Sequence, residues 1–501
     1  MKQLSLSKLT ILFSLIVLSL VVLTQISSFN FYPQFIDDYY HLFTAESFNQ
    51  AGGWLSINPL DYAPQGRVNI YPPIYHLLIS SLLNLGIDKI LILKILPTVI
   101  GIIFFLVLWW TSNLLFGITC GFFSILIGFS FFPLLSGITA NIPASLALII
   151  SFLAIIALKK NKHLTFCLLV SICAYTHIGI SLAFNLALIS AFFLKEFKPA
   201  RKFLILGLVL CLPLYWHQLS SLSYIKVSKL QENQFIQYNL LIITLTPAFF
   251  IYSLRKKSFY ILIGLYTLFL FLVFFKHPFR FFSSQAAVLM GIPTAVILAL
   301  IIERKKSLVL FLIIIAYVFC FNLSFIKTKQ NLLLHNSATI PELFNPNQAE
   351  FNEFRSLYFK DIYQDFAKAI EENSQKQDII SSNLSFLSVV LGSITQRPIG
   401  NSIFPEVLPL RKENFLKNSK IIIWVKNPDQ KDYLPDKLFD NYKTKNNLKK
   451  IYSYQESEIY LNPKAHPIVL PKATIKFPMI LLIFLSIVVM IIYDLIKTRQ
   501  S

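Results

Sequence analysis

Asp37 and Asp38 stand side by side in Phe35-Ile36-Asp37-Asp38-Tyr39-Tyr40-His41, directly after the first apolar run of membrane length, Leu9 to Ile26. Acidic groups are scarce around them. Of the 25 Asp and Glu in the 501 residues, 16 fall in a polar block, residues 327–474, and nine lie elsewhere: Asp37, Asp38, Glu46, Asp61, Asp88, Glu196, Glu232, Glu303 and Asp494. Glu196, Glu303 and Asp494 sit beside Lys/Arg clusters and read as loop charges. Carboxylates at a bilayer edge are costly and mark functional sites. The pair also fits the first turn of a following helix as capping groups, and the two roles coexist.

The remaining polar candidates form two groups. The first loop offers His41, Glu46, Asp61, Arg67, Tyr71, Tyr75 and His76 beside the two aspartates. Later loops offer Asn141, His177, His217, Lys276, His277 and Arg280. A carboxylate opposite fixed cations suits transfer away from a phosphate leaving group. The acid takes the proton of an attacking hydroxyl, and the cations stabilise charge developing on the departing phosphate. A His in an apolar helix is also a common packing residue, and His177 and His217 carry that reading as well.

The elements that must position these groups are membrane helices. The chain is 55% hydrophobic and only 14% charged, with a mean hydropathy of +0.62. A soluble chain would be about one-quarter charged. Repeated apolar runs of roughly 18 residues or more indicate a polytopic α-helical membrane protein. The 47 Phe and 22 Tyr suit lipid-facing and interfacial surfaces. The net charge of +20 is concentrated outside the polar block. It fits basic cytoplasmic loops, and the aromatic-lined basic groove of a nucleic-acid binder is absent. The five Cys lie within or beside apolar runs, without CxxC or metal-ligand spacing, and read as buried small hydrophobes.

Charge parity sets the expected topology. The run Leu9–Ile26 lacks a small-residue cleavage site and reads as a retained first helix with a cytoplasmic N-terminus. The first outer loop, 28–89, then begins outside, and Lys159-Lys160-Asn161-Lys162-His163 must lie inside. Runs at about 90–115, 117–136 and 141–158 supply the crossings, so Pro73 to Leu85 is expected to lie at the interface as a juxtamembrane helix. Continuing to Lys497 gives about twelve crossings, with both termini cytoplasmic. The expected domains are 1–326, a multi-helix membrane domain; 327–474, a small extracytoplasmic α/β domain; and 475–501, a last helix and tail. Within the block, 361–373 has helical spacing, Asp378–Ser382 and Ile421–Val425 read as buried strands, Ser388–Leu391 as a strand or short helix, and 448–461 as a hairpin.

Asp37-Asp38, then Gly53-Trp54, then Tyr71-Pro72-Pro73 resemble the GT-C class of integral-membrane glycosyltransferases, which includes protein mannosyltransferases, aminoarabinose transferases and oligosaccharyltransferase catalytic subunits. Asp37 and His41 also match the Asp-x-x-x-His pattern of related membrane proteins. The resemblance covers the layout of the whole chain, with specific motifs only at about 35–76 and 276–292. It implies a polyprenyl-phosphate-linked sugar donor, an extracytoplasmic glycan, lipid or protein acceptor, a multi-pass cell-membrane location, and an acid of the first loop as catalytic base. Asp37 matches that acid, and Asp38 stands where a Glu is commoner. Lys276-His277-Pro278-Phe279-Arg280-Phe281 resembles the basic segment associated with the donor phosphate.

The expectation is sugar transfer with Asp37 as base and Asp38 as its partner. Lys276 and Arg280 would hold phosphate, with His41, Arg67, Tyr71, His76 and His277 as further donor or acceptor contacts. Membrane lipid is an expected partner and nucleic acid is not. No cofactor is expected. A divalent metal has no support in the sequence, because the acidic second-loop motif of oligosaccharyltransferases is replaced by Ser136-Gly137-Ile138-Thr139-Ala140-Asn141, and Trp-Trp-Asp is absent from the polar block. Two alternatives stay open: a lipid or polysaccharide transporter or flippase, with ionisable groups at the midplane, and a non-catalytic scaffold.

Overall fold

The structure is a computed structural model that describes residues 6–29, 33, 36–140, 142–224, 236–256, 259–327, 332–340, 362–403, 415–426, 436–470 and 472–497. It is mostly helical. The first part contains α1 (Leu6–Ser27), α2 (Ile36–Ala51), α3 (Ile74–Asn84), α4 (Lys89–Phe116), α5 (Ile118–Ser130), α6 (Phe132–Ala140), α7 (Ile142–Lys159), α8 (His163–Ala174), α9 (Ile178–Ala191), α10 (Arg201–Ser220), α11 (Leu240–Leu254), α12 (Phe259–Val273), α13 (Pro278–Phe282), α14 (Val288–Lys305) and α15 (Leu308–Cys320). Among the described residues six helical segments are long and apolar enough to cross a membrane: Leu6–Ser27, Lys89–Phe116, Ile142–Lys159, Phe197–Ser220, Gln285–Lys305 and Phe477–Asp494. Several shorter apolar helices stand beside them. Phe104 and Phe105 on α4 and Phe122, Phe123 and Phe129 on α5 are fully buried in one apolar core, and the two helices pack against each other.

Three segments depart from the simple reading of apolar runs. The run 117–136 breaks at Phe131, which is extended and bridges Ala338. Pro133 explains the break, since proline has no N–H to continue a helix and restricts the residue before it. The run 307–325 ends early: α15 stops at Cys320, and a strand follows. That strand is the centre of an unexpected sheet of β4 (Ile236–Asn239), β5 (Leu323–Lys327) and β6 (Leu332–Asn336), antiparallel throughout. Pro73 to Leu85 yields α3, 11 residues long. At 1.5 Å per residue it spans about 16 Å, too short for a bilayer core of about 30 Å.

The polar block contains α16 (Ile362–Asn373), α17 (Ser385–Thr395) and α18 (Asp436–Asn446) around a sheet of β7 (Ile380–Ser382), β8 (Ile421–Val425), β9 (Lys449–Tyr454) and β10 (Ser457–Leu461). The strand order is β7-β8-β10-β9, with β7 parallel to β8 and the other pairs antiparallel. Side chains alternate across a strand. Ile421 and Ile423 face the main core with Phe366, Ile370 and Val389. Ile422 and Trp424 face the other way, where Phe439 of α18 stacks on Trp424 at 3.8 Å. The segment Ser388–Leu391 is helical, within α17.

α2 joins the two parts. It packs on α3 on one side and α17 on the other, and every residue from Asp38 to Phe48 is buried. Ser393 Oγ of α17 donates to the Tyr39 carbonyl at 2.7 Å. A Cβ on Gly392 would overlap Ile399 and crowd Phe43, so the small residue sets the spacing of the two helices. The first loop threads into the same joint. Leu60 O accepts from Ile399 N at 2.7 Å, and Ala63 N donates to Ile399 O at 2.8 Å. β1 (Gly53–Trp54) pairs with β11 (Ile475–Lys476) at the start of α19 (Phe477–Lys497). A short hairpin of β2 (Ile57–Asn58) and β3 (Arg67–Val68) completes the loop.

A buried ion pair locks this loop: Arg67 Nη1 meets Asp61 Oδ2 at 3.1 Å, with side chains 7% and 0% exposed. Arg67 also lies over the Tyr40 ring of α2 at 5.2 Å. Removing one partner of such a pair strands the other charge, at a cost of roughly 3–5 kcal/mol. Arg67→Ala is therefore expected to lower thermal stability by that order, and Arg67→Ala with Asp61→Ala to recover part of it. Equal unfolding temperatures for Arg67→Ala and wild type in detergent would contradict the role given to the pair.

Candidate active site

Asp37 and Asp38 occupy the first turn of α2, where the helix dipole favours negative charge. Successive helical residues point about 100° apart, and the two carboxylates separate accordingly. Asp38 is 2% exposed and turns inward, where it adds to the burial that raises the Tyr39 and Tyr75 phenols. Asp37 is only partly buried and acts on a different phenol, Tyr71. Burial pushes Tyr71 up, the Arg280 guanidinium pulls it down, and the Asp37 carboxylate pushes it up again. One phenol thus senses both the acid of the first loop and the cation of a loop some 200 residues later.

The histidines form the wall behind that phenol. His41 Nδ1 and His76 Nε2 are 2.9 Å apart and share a hydrogen bond whose direction depends on tautomer. The His41 ring lies 5.1 Å from Tyr71 and 5.2 Å from Tyr75, both edge-on. Burial, then His76 and His177, hold His41 well below its usual range. Burial and the nearby Arg67 push His76 down to about 3. Both imidazoles are therefore neutral near pH 7, which allows two of them to share one hydrogen bond. His177 caps α9, its Nδ1 accepting from Ile180 N at 3.2 Å, and its ring stands 6.1 Å from Tyr71. α3 is pinned here by Ile74 N donating to the Tyr175 carbonyl at 2.9 Å.

Arg280 sits on α13, a five-residue helix held by the unexpected sheet. Gln237 N of β4 donates to Ser283 Oγ at 2.6 Å, and the Tyr238 and Phe282 rings are 4.9 Å apart. Arg280 Nε is buried and has no hydrogen-bond partner among the described residues. His277 is lowered by burial, then by Arg280 and Lys276. Lys276 and His277 both reach the surface, so the burial of His277 is only partial.

The other candidates stand apart. Arg67 is engaged by Asp61. Glu46 lies at the opposite end of α2. His217 shares a 3.0 Å hydrogen bond with the Asn69 carbonyl, and its ring meets Trp54 edge-on at 5.4 Å, so it serves packing of the first loop. Asn141 lies outside the described residues. No group of three or more His, Cys, Asp or Glu among the described residues is placed to hold a metal ion. Tyr39 and the Ser283–Gln237 clamp went unnoticed in the sequence. Tyr39 could have been found from its place beside Asp38, whereas nothing in the spacing marks the clamp.

The pH dependence follows from His76. Its folded value of about 3 lies below the ordinary 6.5, so between these limits the unfolded chain binds the extra proton. The contribution is fully present above pH 6.5 and is lost as pH falls through that window. At pH 4.5 the loss is on the order of 3 kcal/mol. Thermal unfolding should fall between pH 6.5 and 4.5 in wild type and less steeply in His76→Gln. Identical pH slopes would contradict a buried neutral imidazole.

No protein-family model matches the sequence, and no curated protein matches it. Solved structures do match the fold. The oligosaccharyltransferase AglB from Archaeoglobus fulgidus, in complex with an inhibitory peptide and a dolichol-phosphate, aligns with a TM-score of 0.52 and 10% identity over 82% of this chain and 69% of that one. An Archaeoglobus fulgidus oligosaccharyltransferase in the apo form gives a TM-score of 0.51 and 10% identity, over 78% of this chain and 65% of that one. ArnT from Cupriavidus metallidurans, also apo, gives 0.50 and 12% identity over 86% and 94%. Identity at this level carries the fold, and the spans agree with its membrane setting. The chain has the fold of the GT-C membrane glycosyltransferases.

Proposed function

We propose that the protein transfers a sugar from a polyprenyl-phosphate-linked donor to an acceptor on the extracytoplasmic side of the membrane. The observation that carries this reading is that Asp37 stands one turn before His41 on α2, whose ring meets Tyr71 at 5.1 Å, and that Asp37 and Arg280 both act electrostatically on that phenol. It supplies a base and a phosphate-binding cation at one place, in a fold whose solved examples include a complex with dolichol-phosphate.

In this reading the acceptor hydroxyl gives its proton to Asp37 as its oxygen bonds to the anomeric carbon. The bond from that carbon to the phosphate oxygen breaks, and its electron pair stays on the phosphate. Arg280, whose Nε lacks a protein partner among the described residues, takes the developing charge, with Lys276 at the exposed rim. Guanidinium suits this task because it binds phosphate oxygens in a fixed fork. In this reading Tyr71 and His41 are donor or acceptor contacts beside the two charged groups. Asp38 and His76 are positioning residues, since both are buried and turn toward other side chains. The polar block, 327–474, lies on the same extracytoplasmic side and clasps α2 from there.

The test is a transfer assay on purified protein with a panel of polyprenyl-phosphate sugars. Release of polyprenyl phosphate should be seen in wild type and fall roughly 10²–10⁴-fold in Asp37→Asn, with membrane insertion and oligomeric profile unchanged. Full activity in Asp37→Asn would remove Asp37 from the chemistry. Absence of both turnover and donor binding across the panel, with folded protein, would favour a scaffold.

A further inference from the structure

At the far end of α2 from the aspartates lies a polar cavity of about 450 Å³, at the joint between the bundle and the polar block. Glu46, Gln50, Asp88, Lys89 and Lys376 line it. Glu46 is nine residues beyond Asp37, about 14 Å along the helix and half a turn round from it. This is a separate site.

Its charges are balanced and mixed. Glu46 is 8% exposed. Burial raises its carboxyl, against the pull of Lys89, then Gln50, Lys376 and Gln396. Gln50 Nε2 donates to the Gln396 carbonyl at 3.1 Å, which fixes the orientation of the amide. Its Oε1 is then buried with no donor to it among the described residues. The amide oxygen calls for an N–H or O–H donor, and the buried carboxylate beside it favours a cation. Lys376 is exposed at the rim. Lys89 Nζ donates to the Ile394 carbonyl at 2.8 Å, which uses one of its three protons. Asp88 is engaged in capping α4, accepting from Leu91 N at 2.9 Å.

The cavity also has a definite depth. α4 has 28 residues, about 42 Å at 1.5 Å per residue, close to the roughly 40–45 Å of a bilayer with its headgroup regions. Lys89 begins this helix, so a span of this length that crosses the whole bilayer sets the cavity at headgroup level.

We infer that this cavity binds a phosphoethanolamine group, its primary ammonium on Glu46 and Gln50 and its phosphate on Lys89 and Lys376, carried by a phospholipid or free. A primary ammonium supplies N–H donors to both acceptors, and a quaternary choline supplies none. The inference is independent of sugar transfer, and its readout is binding alone.

The test titrates the purified full-length chain with dihexanoyl phosphatidylethanolamine, phosphatidylcholine and phosphatidylglycerol, and with soluble O-phosphoethanolamine, following thermal stability and adducts by native mass spectrometry. Phosphatidylethanolamine should bind at least tenfold more tightly than the other two lipids. Glu46→Gln should abolish that preference, and Lys376→Ala, at an exposed position that leaves folding intact, should weaken binding severalfold. Soluble phosphoethanolamine binding as tightly as the lipid supports the chemistry and assigns a free ligand; weaker binding supports it and assigns the lipid. Equal affinity for phosphatidylcholine or phosphatidylglycerol, or a preference unchanged in Glu46→Gln, overturns the inference.

Discussion

The site depends on the burial of α2 between α3 and α17. Eleven consecutive residues, Asp38 to Phe48, are withdrawn from solvent. An amphipathic helix on a surface would bury one stripe, whereas α2 is enclosed on all sides because both halves of the molecule close over it. The enclosing contacts are specific. Ser393 reaches the Tyr39 carbonyl, Gly392 makes room for Phe43, and Lys89 reaches the Ile394 carbonyl. A helix held this way fixes the first-turn aspartates to within side-chain motion, which is what orienting a reacting group demands.

Enclosure also sets the electrostatics. Burial is the largest influence on Tyr39, His41, Tyr71, Tyr75 and His76, and in each case it favours the neutral form. The ring cluster therefore forms an uncharged wall beside the half-buried Asp37 and Arg280. A low-dielectric wall strengthens both the proton affinity of a base and the pull of a cation on a phosphate. Proximity of the two charges comes from distant segments: α2 follows the first helix, while α13 is placed by a sheet whose strands are separated by some 85 residues of chain.

Much of this was legible from residue types. Apolar runs gave the helices, the Asp pair marked a helix start, and spacing in 361–373, 421–425 and 448–461 matches α16, β8 and the β9–β10 hairpin. The central sheet was hidden because Leu323–Lys327 continues the apolar run of α15 without a Gly or Pro to punctuate it, and short apolar strands look like helix ends. Arg67 looked free to bind phosphate because its partner Asp61 is six residues away, across a turn that spacing does not reveal. The separation of Glu46 from Asp37 was within reach: once α2 is a helix, nine residues place them on opposite faces.

On the proposed function, Asp37 and Arg280 act on one ligand with different tasks. The most direct measurement is the affinity of the purified protein for polyprenyl phosphate, compared among wild type, Arg280→Gln and Asp37→Asn. Affinity should fall at least tenfold in Arg280→Gln, where the guanidinium that holds the phosphate is lost, and stay unchanged or tighten in Asp37→Asn, where a nearby negative charge is removed. Undiminished binding in Arg280→Gln, or loss of binding in Asp37→Asn, would contradict this division of tasks.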